Sequence, residues 1–148
     1  AVLLLVLAAM CAGDASVLQI RDENGAEDTS LAALTEEDLL DPMPQVIKHG
    51  AKRSNDRDAG VITFKVEKMS GIEVLDSFTA EEENTYTLTV TSSRTAGNLR
   101  LYVCTQDAIV RDIPIGEEQH IILSGLSGIV SVRAAAESAA FSVTVTRA

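Results

Sequence analysis

The segment Thr85-Tyr86-Thr87-Leu88-Thr89-Val90-Thr91 carries threonine at every second position, with bulkier apolar residues between. Successive side chains of a strand point to opposite faces, so this stretch reads as a strand with one wet face and one buried face. Related patterns recur from Val61 to Ala148. They mark candidate strands at Val61–Lys68, Ile72–Phe78, Thr85–Ser92, Asn98–Thr105, Ile109–Ile113, Gln119–Leu123, Ile129–Ala135 and Phe141–Thr146. The breaks have turn chemistry: Ser70-Gly71, Glu81 to Asn84, Ala96-Gly97-Asn98, Gln106-Asp107, Pro114 to Glu118, and Ser124 to Gly128. Short strands without room for crossover helices predict an all-β, antiparallel β-sandwich or jelly roll of about eight strands. Leu99, Leu101, Val103, Phe141, Val143 and Val145 alternate cleanly and are assigned to the core.

Composition narrows the partners. The chain has 148 residues, room for one modest domain plus an extension. Its net charge of −10 repels nucleic acid and anionic headgroups, so no nucleic-acid partner is expected. With no tryptophan, the core must be built from Val, Ile, Leu and Ala.

Residues 1–13, Ala1 through Gly13, are almost wholly apolar and stop at Asp14, short of a spanning helix. They read as an export signal truncated at its front, lacking an initiator Met and a basic start. Cys11 sits where a bacterial lipoprotein signal places its lipid-accepting cysteine, although Met10 is a poor fit before it. Lipidation at Cys11 and ordinary cleavage after Ala12 or Ala15 both remain open, and any membrane contact is expected only through such an anchor. An extracellular or cell-envelope location follows from this reading. The other cysteine, Cys104, reads as a half-buried residue on a sheet face.

From Asp14 to Gly60 the sequence is acidic and lacks period-2 alternation, which predicts a mostly irregular extension, 14–60, ahead of a β-domain at 61–148. One short helix is expected near 35–41. Thr35 can cap it, Glu36, Glu37 and Asp38 suit its first turn, and Pro42 and Pro44 stop it. Leu31, Leu34, Leu39 and Leu40 could dock it on the sandwich. Lys52-Arg53 has the form of a dibasic processing site.

Ser77-Phe78, Gly97-Asn98-Leu99-Arg100-Leu101-Tyr102-Val103, Ile113-Pro114-Ile115-Gly116 and the ending Ala136 to Val145 form a set of landmarks. Together they resemble the small exported β-sandwich proteins of gut Firmicutes, and more loosely the jelly-roll domains appended to secreted bacterial peptidases. The resemblance covers about residues 61–148. It implies a fold and an exported location, and it carries no functional residue over.

Catalytic constellations are not apparent. There is no HExxH, no CxxC and no phosphate-cradling loop, and Gly125-Leu126-Ser127-Gly128 lacks nucleophile-elbow spacing. His49 and His120 stand apart in sequence, so no metal, cofactor or catalytic residue is assigned. The expectation is a non-catalytic secreted or envelope-associated domain that binds an unknown envelope protein or a cell-wall or glycan ligand. Arg100 and Tyr102, on one parity of one strand, form its candidate recognition patch, and the threonine and serine rows form a second contact surface. Two alternatives stand beside it: a carbohydrate-binding module, and a secreted factor released by cleavage after Arg53.

Overall fold

The computed structural model describes residues 31–148. After a 3-10 turn at Leu31–Ala33 comes helix α1 (Glu36–Leu40). Seven strands follow: β1 (Val46–His49), β2 (Lys52–Asp56), β3 (Val61–Ala80), β4 (Thr85–Cys104), β5 (Ile109–Ile113), β6 (Gln119–Ser124) and β7 (Gly128–Arg147). All pairings are antiparallel.

Three strands, β3, β4 and β7, are 20 residues long. Straight, each would span roughly 65 Å, more than a domain of this size can hold. They therefore bend together. Register shifts fall between Val66 and Gly71 on β3 and between Arg94 and Asn98 on β4. Gly71, Gly97 and Ser138 have positive φ at the same level. A Cβ on Gly97 would collide with the Ser138 carbonyl, so only glycine lets β4 and β7 approach there. Ser138, with φ of 48°, has its N–H held by Ser70 Oγ at 2.9 Å.

The bend folds one sheet into two facing halves. The first half runs β2-β3-β7-β4-β6, and the second runs β3-β7-β4-β5 with β1 flanking the bend. Phe64, Leu88, Ile121 and Val143 of the first half pack in one cluster with Leu75, Leu101, Val103 and Val132 of the second. That cluster is the core of an antiparallel sandwich, and all six residues assigned to it by alternation lie within it. Each of the eight expected strand segments is extended, but six of them merge in pairs into β3, β4 and β7. The small-residue breaks at Ser70-Gly71, Ala96-Gly97-Asn98 and Ala136–Ala140 are bends within strands.

Two further differences concern edges. The stretch expected to be irregular contains β1 and β2, both hydrogen-bonded to β3. Their residues are almost all exposed, so an edge with little apolar alternation gave no period-2 signal. The last candidate strand, Phe141–Thr146, belongs to β7, the central strand between β3 and β4.

A second, smaller cluster lies on the outer face of the second half. Leu39 of α1 packs there with Ile72, Tyr102, Cys104 and Ala135, flanked by Leu31, Leu34, Leu40 and Ile109. Thr35 caps α1: its hydroxyl accepts from the Asp38 N–H at 3.1 Å, and its own N–H donates to the Asp38 carboxylate at 2.9 Å.

Candidate functional site

The outer face of the first half carries polar side chains that are exposed or half-buried among the described residues. Strand register aligns its side chains in cross-strand rows. One row is Ser54–Thr63–Thr144–Thr91, across β2, β3, β7 and β4. The next is Asp56–Val61–Thr146–Thr89–His120, reaching β6, and on the other side lies Lys52–Lys65–Ser142–Ser93. Sheet geometry spaces such hydroxyls by about 4.8 Å between strands and about 6.8 Å along them. The face exists because β-branched threonine suits a pleated surface while Leu88, Val90, Val143 and Val145 anchor the opposite parity in the core.

Lys52 and Lys65, both exposed, are directly opposed across β2 and β3, an arrangement of like charges that destabilises a sheet slightly. At the β6 edge, His120 Nε2 lies 2.8 Å from Glu118 and Nδ1 lies 3.4 Å from the Thr89 hydroxyl. This hydroxyl–imidazole–carboxylate chain is open to solvent, with His120 and Glu118 side chains 63% and 58% exposed. Among the described residues, no group of three or more His, Cys, Asp or Glu is placed to hold a metal ion.

Arg100 and Tyr102 share a parity, as alternation requires, but only Arg100 reaches the surface. Its guanidinium makes two bonds to the Asp112 carboxylate, at 2.7 and 3.3 Å, beside a shallow groove walled by Leu99, Ile113, Pro114 and Ile115. Tyr102 is fully buried, with Arg100 stacked 5.6 Å over its ring. Its hydroxyl donates to the Leu39 carbonyl at 2.8 Å. Tyr102 is therefore not on an exposed recognition patch, because the segment carrying α1 covers the outward face of this part of β4. Burial pushes its phenol well above the usual range, with nearby Arg133 pulling the other way. The Cys104 thiol is raised for the same reasons, and Cys104 is buried rather than half-exposed. Cys11 and the apolar segment 1–13 lie outside the described residues.

Tyr86 takes the core parity, its ring 5.0 Å from Phe78. Phe64 and Phe141 are buried against each other. None of these rings offers an exposed platform. Arg53 is held by Glu73 at 3.1 Å and by the Val74 and Leu75 carbonyls, inside strand β2. A protease acting after Arg53 would have to open that strand first.

Sequence reasoning missed Arg133. Buried in β7, it donates from Nη1 to the carbonyls of Leu39 (3.0 Å) and Asp41 (2.6 Å), near the C-terminal end of α1. Its signal was a lone cation in the apolar run Ile129-Val130-Ser131-Val132-Arg133-Ala134-Ala135-Ala136.

No protein-family model and no curated protein matches the chain. Among solved structures, it has a weak likeness to the C-terminal CBM6 of LamC, a marine laminarinase from Zobellia galactanivorans. The identity is 6% and the TM-score 0.35, covering 70% of this chain and 99% of that one.

Proposed function

We propose that this chain is a non-catalytic, exported binding domain that holds a hydroxyl-rich cell-wall glycan on the outer face of its first half-sheet. The observation that carries the reading is the uncovered row Ser54–Thr63–Thr144–Thr91 with its flanking rows. A threonine hydroxyl both donates and accepts, as sugar hydroxyls do, so a regular array can exchange hydrogen bonds with a polymer of repeating hydroxyls. Lacking an exposed ring, the face binds through hydrogen bonds rather than stacking. Each contact is weak, and affinity grows with the number of repeats engaged.

The test is co-sedimentation with insoluble cell-wall polysaccharide, comparing the native chain with the triple variant Thr63→Val, Thr91→Val, Thr144→Val. Valine keeps the shape and β-propensity and puts a methyl in place of each hydroxyl. The variant should stay folded and lose most of its binding. Equal binding by the triple variant would remove this face as the site.

Export and a lipid anchor at Cys11 belong to the same proposal, supported by the apolar run ahead of Asp14. The intact mass of the protein from its source cells tests them. A chain beginning at Cys11 with added acyl mass supports the anchor, and an unlipidated start beyond Cys11 removes it.

A further inference from the structure

Arg133 is 5% exposed and takes part in none of the ion pairs among the described residues. Its Nε is buried without any hydrogen-bond partner. Nη1 reaches the Leu39 and Asp41 carbonyls, and the Tyr102 hydroxyl donates to the same Leu39 oxygen. Ile72, Cys104 and Ala135 form the apolar floor that receives the Leu39 side chain. The sandwich thus presents a cation and a hydroxyl donor beside an apolar floor, and its present occupant answers them with carbonyl dipoles alone. A buried cation is strongly penalised unless a matching charge or a full set of acceptors meets it. A carboxylate at the position of the Leu39 carbonyl would supply the missing charge to the guanidinium through Nη1.

The occupant is held to the body by side-chain packing and by bonds to two of its carbonyls. Helix α1 makes no strand ladder with the body. It joins β1 through Asp41-Pro42-Met43-Pro44-Gln45, where the two prolines have no N–H to donate. Leu39 is its one fully buried side chain, with Leu40 half-buried beside it, and Glu36, Glu37 and Asp38 face solvent and would leave with it.

We propose that the outer face of the second half-sheet is a binding site for a peptide ending in an aliphatic residue with a free carboxylate. Residues 35–41 fill it in cis as a displaceable cover. Arg133 and Tyr102 hold the carboxylate where the Leu39 carbonyl now sits, and the Leu39 pocket takes the aliphatic side chain. The site is separate from the threonine face, and its failure would leave the glycan reading standing.

The experiment titrates the full chain with N-acetyl-Thr-Glu-Glu-Asp-Leu bearing a free C-terminal carboxylate, against the same peptide as its amide. The acid should bind saturably and about tenfold or more tighter than the amide, the difference expected of one added charge-assisted contact. Leu39→Ala weakens the competing cover and should tighten the acid peptide by about tenfold. Arg133→Met should abolish the preference for acid over amide. In the native chain, saturation should speed hydrogen exchange at the Leu39 and Asp41 amides as the cover leaves. Equal binding of acid and amide, no binding even to Leu39→Ala, or unchanged exchange at saturation would each overturn the proposal.

Discussion

The Tyr102 hydroxyl donates a 2.8 Å hydrogen bond to the carbonyl of Leu39, 63 positions earlier in the chain. This bond turns the outward parity of β4 into an interior. Around it the sandwich gains a second apolar cluster, outside the main core and roofed by residues that sequence alternation leaves as an extension.

Removing the bond should be measurable. Tyr102→Phe keeps the ring and deletes the donor, leaving Arg133 to satisfy the Leu39 carbonyl, so a loss of about 1 kcal/mol is expected. Leu39→Ala empties the pocket over Ile72 and Ala135 and should cost about 2–3 kcal/mol at most, since the cover can detach instead of leaving a cavity. Urea unfolding followed by circular dichroism reads both.

The same burial sets an alkaline limit. Desolvation raises the folded-state pKa of Tyr102 above its unfolded value of 10.0, so the phenol stays protonated in the fold when the unfolded chain begins to ionise. Above that pH the folded state binds more protons than the unfolded one, and stability falls as pH rises. The contribution is complete below about pH 10 and declines above it. Cys104, raised from 9.0, adds a loss in the same direction that begins somewhat lower. Melting temperatures from pH 8 to 11 should fall, and the fall should be shallower for Tyr102→Phe.

The bend offers a backbone test. At Gly97, φ is 74° and a Cβ would run into the Ser138 carbonyl. Gly97→Ala should therefore destabilise by about 2 kcal/mol or more, from both the positive φ and the clash. Glycine at Ser138, also at positive φ, should be tolerated within about 1 kcal/mol. Thermal unfolding of the two variants separates a bend that requires glycine from one that merely accepts a small residue.

Arg53 supplies a proteolytic test. Its guanidinium is held by Glu73 and the carbonyls of β3. Trypsin should cut native protein after Arg53 slowly, because cleavage requires β2 to open. Glu73→Ala should speed the cut several-fold, also freeing Lys48, which pairs with Glu73 at 2.9 Å. Rapid cleavage of the native chain at this bond would restore the processed-factor reading.

The sandwich class, the core faces and the α1 cap were legible because each rests on local chemistry. Thr35 and Asp38 are three positions apart and cap each other. Leu99, Leu101 and Val103 point one way because a strand alternates. Whether Ser70-Gly71 or Ala96-Gly97-Asn98 would end a strand or bend it was not legible. Glycine permits both, and the outcome depends on whether neighbours across the sheet bend at the same level.

The sequence by itself determined which side chains share a face, through a period of two that is a property of the strand alone. Tertiary structure alone decided which faces are covered. Tyr102 and Thr89 both lie on outward parities of β4, yet one is buried under Leu39 and the other stands in an open hydroxyl row. The difference is made by contacts between residues tens of positions apart, from Leu39 to Tyr102 and Arg133, whose strength depends on three-dimensional packing and not on any local pattern.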